Sequence, residues 1–129
     1  MSVTLLDERE PILVGLNFDS TNSPGTLPLF VADLLIRRID NVVAINTDAI
    51  DHVIEVDVTD GATIFYEGSF TIPTLAGSAG NPAIDANPGT MLGIMGGTNI
   101  PAGWTIEMKC LVAVGAGKIV SITGYGGLL

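Results

Sequence analysis

The sequence holds one histidine, His52, and one cysteine, Cys110. A Cys-His or Ser-His-Asp relay needs an imidazole to take the nucleophile's proton, so either would have to be built on His52. The surrounding pattern argues against both. His52 opens an alternating run with Ile54, Val56 and Val58, which places it at the entrance of an apolar strand face as a hydrogen-bonded structural histidine. Cys110 is in register with Met108 and Val112, the setting of a small buried hydrophobe. A reactive thiol needs a cationic, accessible one.

Four carboxylates, Asp48, Asp51, Asp57 and Asp60, fall close together. A calcium loop needs oxygen ligands at alternating positions closed by a bidentate Glu, and that spacing is absent. Asp57 and Asp60 read as turn-forming, solvated residues. Gly77-Ser78-Ala79-Gly80 and Gly96-Gly97 lack the Lys that reaches phosphates in a P-loop. Trp104, Tyr66 and Tyr125 raise a sugar-stacking platform, but the chain has only seven aromatic residues and Trp104 is in phase with core positions. We therefore assign no catalytic residue, no metal ligand and no cofactor site, and expect no enzyme.

The elements that would carry these residues come next. With 129 residues the chain suits a single domain, 1–129. Hydrophobic residues make up 47% and charged ones 15%, against about 25% charged in an average globular chain. Some apolar surface is then left for contact with other chains. The net charge is −9, and Arg37-Arg38 is the sole pair of neighbouring cations, so a phosphate backbone is repelled and nucleic acid is not expected as a partner. No apolar run approaches the roughly 20 residues of a membrane helix. Residues 1–11 carry Asp7, Glu8 and Glu10 where a secretory signal would be basic and apolar, so synthesis in the cytoplasm without membrane insertion is expected. A lone cysteine makes no internal disulfide.

Strands dominate the pattern. Ile12-Leu13-Val14-Gly15-Leu16 reads as a short strand before turn residues at 17–26, so 1–27 is either an arm across a neighbour or an edge strand with its loop. The stretch 27–45 admits a helix with Pro28 in its first turn, but its Val and Ile content favours strands with a bend near Asp40-Asn41. A strand from His52 meets Thr59-Asp60-Gly61, a hairpin turn, and returns with Ile64, Tyr66, Phe70 and Ile72 on one face. Residues 74–98 form a long Gly-rich connection, with one short helix or a loop at 83–95. Residues 104–114 and 118–125 read as a closing hairpin around Gly115-Ala116-Gly117. Its second strand is apolar on both faces and leads into a flexible Gly126-Gly127-Leu128-Leu129 tail. The fold expected is all-β: one jelly-roll-like β-sandwich of about six to eight antiparallel strands. Ile12, Leu13, Val120, Ile122, Tyr125, Leu128 and Leu129 are the candidate subunit contacts.

In this order the Asn46-Thr47 strand end, the Asp60-Gly61 hairpin, Ile72-Pro73, the glycine-rich connection, Ile100-Pro101-Ala102-Gly103-Trp104 and the terminal Val/Ile strands resemble small β-sandwich virion proteins of tailed bacteriophages. Capsid decoration (cement) proteins are among them. The resemblance covers roughly residues 27–125 and carries over no catalytic or binding residue. It implies a non-enzymatic homo-oligomer, trimer favoured, on the capsid surface, whose partners are itself and the major capsid protein or other virion subunits. Two alternatives stay open: a neck, tail or fibre-base subunit, and a carbohydrate- or receptor-binding β-sandwich.

Overall fold

Val and Ile at alternate positions suit a pleated, half-buried surface. In the computed structural model the described residues, 10–86 and 98–128, form strands and loops without a helix. Nine strands follow in order: β1 (Pro11–Phe18), β2 (Gly25–Pro28), β3 (Arg37–Asn46), β4 (His52–Thr59), β5 (Ile64–Ile72), β6 (Ile84–Ala86), β7 (Thr98–Ile100), β8 (Thr105–Cys110) and β9 (Val120–Leu128). One sheet runs β1-β9-β3-β6, with β7 also on β3, and the other runs β2-β8-β4-β5. β7 lies beside Arg37, Arg38 and Ile39, and β6 beside Val42, Val43 and Ala44, so they share one edge of β3. Taken as one position, they leave two antiparallel sheets in jelly-roll order, the fold class expected.

The core lies between the sheets. Phe18, Ile39, Val42 and Ile122 come from the first sheet, and Ile54, Val56, Ile106 and Met108 from the second. At β4 the expected alternation holds: His52, Ile54, Val56 and Val58 point inward and Val53 and Glu55 outward. The β4–β5 hairpin also forms, but a bulge at Phe65 pairs Ile64 with Thr59 and takes it off the face shared by Tyr66, Phe70 and Ile72. Gly61 has a φ of 96°, and the Asp60 carboxylate accepts from the amides of Ala62 and Thr63 at 2.9 and 2.8 Å. The bend expected near Asp40-Asn41 is a register shift between Ile39 and Asn41 against β9. The helix alternative at 27–45 is excluded: β2 ends at Pro28, an irregular crossing follows, and β3 begins at Arg37.

Four expectations are corrected. The closing hairpin does not exist. β8 lies between β2 and β4 and β9 between β1 and β3, so residues 111–119 cross from one sheet to the other. Alternation shows which face of a strand is apolar; it does not show which strand lies alongside. The strand expected over 104–114 spans only Thr105–Cys110, and Val112 is exposed. Nor is the last strand apolar on both faces. Ile119 precedes it, and inside it Val120, Ile122 and Gly124 are buried while Ser121, Thr123 and Tyr125 face outward. Gly126, Gly127 and Leu128 are strand rather than tail. At Gly126 a Cβ would collide with the Arg38 carbonyl, so the close approach of β3 requires glycine there. The helix-or-loop stretch at 83–95 gives β6 at its start; its remainder, like Leu129 and residues 1–9, lies outside the described residues.

Candidate functional site

The side chains with the most chemistry in the sequence meet at one end of the sandwich. Asn46 ends β3 and His52 begins β4, both pointing inward, and the short loop between them carries Asp48. His52 Nε2 lies 2.9 Å from Asp48 Oδ2, and its Nδ1 lies 3.7 Å from Cys110 Sγ. That is the order of a carboxylate–imidazole–thiol relay. With Nε2 turned to the carboxylate, Nδ1 is the ring atom that faces sulfur.

Access and acidity remove the nucleophile. Cys110 and His52 are both 0% exposed. The thiol sits 3.2 Å from the Val112 carbonyl, to which it donates, and burial pushes its pKa up. A thiolate would be disfavoured where no substrate can reach it.

What the group does is hold loops together. The Asp48 carboxylate accepts from the amides of Ala49 and Gly115 at 2.8 and 2.9 Å. The Gly115 amide first, then His52, holds its carboxyl below the usual range. The Asp48 carbonyl accepts from Leu75 N, and the Asn46 side-chain amide reaches the Ile50, Ile72 and Pro73 carbonyls. Three crossings between strands are thus tied at one buried hub. The other acidic residues of the sequence cluster disperse. Asp51 holds Thr74, Asp60 closes the far hairpin, and Asp57 faces out from mid-strand. Among the described residues, no group of three or more His, Cys, Asp or Glu is arranged to hold a metal ion.

The two outer faces differ in charge. On the β2-β8-β4-β5 sheet Asp57 is directly opposite Glu67 on one side and Glu107 on the other, and Glu55 is opposite Ser69 and Lys109. Like charges so placed repel by about 0.2–1 kcal/mol per pair. The β1-β9-β3 face is the reverse. Its rows read Leu13–Tyr125–Asn41, Gly15–Thr123–Val43 and Asn17–Ser121–Ile45. None of these nine residues is Asp, Glu, Lys, Arg or His, although Asp85 of β6 lies opposite Val43 at the sheet's edge. Tyr125 Oη accepts from the Asn41 amide at 2.9 Å, which fixes the ring across the strands. The lattice spans about 14 Å along the strands and about 10 Å across them.

The contact residues expected from the sequence divide accordingly. Leu13 and Tyr125 are cross-strand neighbours on this uncharged face, 75% and 41% exposed. Val120 and Ile122 are 0% exposed; they fill the core and offer a neighbour no surface. Ile12 is half-buried against the core, and Leu128 is half-buried opposite Arg37, with its amide on the Glu10 carbonyl. The sequence reading missed Asp48 as the hub and Asn41 as the tyrosine's partner. The Asp48–His52 spacing across a turn was the signal available for the first. None was available for the second.

Trp104 is half-buried against the core and stacks on Phe65, with ring centroids 4.0 Å apart and planes 3° from parallel. The ring face a sugar would use is occupied by Phe65, which weakens the sugar-platform reading. Comparison of the chain with protein families, with curated proteins and with solved structures finds no match.

Proposed function

We propose that this chain is a non-enzymatic structural protein of a tailed-phage virion, a decoration or cement subunit that binds the head through the uncharged β1-β9-β3 face. The carrying observation is the contrast between two outer faces of one jelly roll: across β1, β9 and β3 the rows carry no Asp, Glu, Lys or Arg until Asp85 of β6 at the edge, whereas the other face bears opposed carboxylates. The jelly-roll order is an architecture that viral capsid proteins also use. That parallel is an analogy of fold.

The size of the face bears on how such a subunit would work. A lattice of about 14 by 10 Å falls well short of the roughly 800 Å² per partner of a stable interface. One copy binds weakly, and attachment to a shell comes from several copies in an oligomer, each adding to the effective concentration of the others. Low charge across the face avoids burying unpaired ions at the contact. A neck, tail or fibre-base subunit would use the same features on a different part of the particle.

The test is co-sedimentation of the labelled chain with purified heads of the virus that carries it, followed by imaging of the decorated particles. Saturable binding at lattice symmetry points is expected, and Leu13→Glu with Tyr125→Glu should abolish it while the variant stays folded. Binding only at the portal or tail moves the chain to the alternative, and no binding to any virion part refutes the reading.

A further inference from the structure

β5 is the longest free edge in the described structure: nine residues paired on one side only, with β4, and containing no proline. β1, the other long edge, begins with Pro11, and β2 has four residues. An edge of this length presents a row of unpaired amides and carbonyls that accepts a further strand. Beyond the bulge at Phe65 its protections are few, since among residues 66–72 only Glu67 is charged.

The sequence of β5 is close to a palindrome in polarity about Gly68. Pairing an antiparallel copy with Gly68 opposite Gly68 sets Glu67 against Ser69 and Tyr66 against Phe70. The bulge at Phe65 interrupts the ladder beyond Tyr66, so the self-complementary stretch is Tyr66–Phe70. Opposite residues then lie on the same face, as an antiparallel ladder requires. The apolar row needs such a neighbour. Tyr66 lies opposite the inward Val58 yet is 46% exposed, whereas a bulge at Phe65 sets Ile64 opposite Thr59 on the other face. The carboxylate meets a hydroxyl rather than another carboxylate.

We propose that β5 pairs with β5 of a second copy of this chain about a two-fold axis at Gly68, joining two β2-β8-β4-β5 sheets into one continuous sheet. A two-fold contact of this kind is isologous and closes on itself, so it yields a dimer without growing into a fibre. The assignment does not depend on the virion reading, and it leaves the uncharged face of each copy free. One repulsion remains. The two Glu67 carboxylates are diagonal neighbours, about 7–8 Å apart, within the screening length of about 10 Å at 0.1 M salt and beyond that of about 3 Å at 1 M.

Sedimentation should therefore show a reversible dimer that tightens several-fold from low to high salt. Glu67→Gln should tighten it by up to about fivefold at low salt and flatten the salt dependence. Tyr66→Asp should sediment as a monomer with an unchanged circular dichroism spectrum. Cross-linking reads the register itself. Opposite Cα atoms lie about 4.5–5.5 Å apart, inside the disulfide range of about 4.4–6.8 Å, whereas diagonal ones do not. On mild oxidation of mixed Glu67→Cys and Ser69→Cys chains, the 67–69 disulfide between copies should outrun the 67–67 and 69–69 disulfides. Cys110 is buried and does not compete. A chain that stays monomeric up to about 1 mM, a trimer, or equal cross-linking at all three combinations overturns the proposal.

Discussion

Replacing Asp48 by alanine removes the acceptor of three hydrogen bonds, from Ala49 N, Gly115 N and His52 Nε2, each at 2.8–2.9 Å. Bonds to a charged acceptor contribute about 1.5–3 kcal/mol each, but losses within one network do not add. The three donors also differ in what happens next. Ala49 is exposed and Gly115 half-buried, so water replaces the carboxylate there. His52 is 0% exposed, so its Nε2 proton is left unpaired, at about 1–3 kcal/mol. The expected total is about 3–4 kcal/mol, a large share of the roughly 5–15 kcal/mol that holds a domain folded. Urea unfolding followed by circular dichroism should show the midpoint falling by about 1–3 M, and the Tm should drop by roughly 10–15 °C. Asp48→Asn, which keeps the shape and one acceptor oxygen, should lose about half as much. A loss below about 1 kcal/mol for Asp48→Ala would refute the reasoning, because a buried donor would have lost its partner without cost.

The same residue gives a pH test with a definite sign. Its carboxyl is held below its ordinary value of 3.8, first by the Gly115 amide and then by His52. A depressed folded value means that stability is fully present above the unfolded pKa and is lost as pH falls through the folded one. The wild-type chain should therefore lose this increment below about pH 4. Asp19, Asp33, Asp51 and Asp60 are shifted in the same direction by their own hydrogen bonds. The difference between the wild-type and Asp48→Asn stability curves isolates the Asp48 share.

Other outcomes separate core from surface. Ile122→Ala should destabilise by about 2–5 kcal/mol through the cavity it leaves, while Leu13→Ala on the outer face should stay within about 0.5 kcal/mol; chemical denaturation measures both. Gly126→Ala should cost about 1–3 kcal/mol or more, because β3 must move away from β9 at the Arg38 carbonyl. Cys110 should resist maleimide labelling in the native state, with a labelling rate that tracks unfolding, since its thiol is buried and its pKa raised. Fast native labelling would show that the Asp48–His52–Cys110 line is open to solvent.

Much of the fold was legible because it rests on local chemistry. Period-two alternation in β4 named its inward residues, and Asp60-Gly61 named the β4–β5 hairpin. Pro73 marked where the β5 ladder stops. The Asp40-Asn41 bend was visible as polar residues interrupting a Val/Ile run. Burial of His52 and Cys110 followed from being in phase with apolar neighbours. These are properties of one strand or one turn, and neighbouring residues are enough to set them.

Partner choice between strands was not legible in this way. β8 and β9 follow each other in the chain and alternate like a hairpin, yet each lies in the middle of a different sheet. That pairing sends Val120 and Ile122 into the core and brings Leu13 beside Tyr125, although more than a hundred residues of chain separate them. The hub at Asp48 likewise needs Gly115, His52 and Leu75, contributed by three separate stretches. A strand's apolar face is encoded in its own residues, whereas its neighbours are decided by how two whole sheets close over one core. The sequence by itself determined an acidic, β-rich chain in which His52 and Cys110 fall in phase with apolar strand positions. Only the tertiary structure decided which surfaces are free to meet another molecule: an uncharged face across β1, β9 and β3, and the open edge of β5.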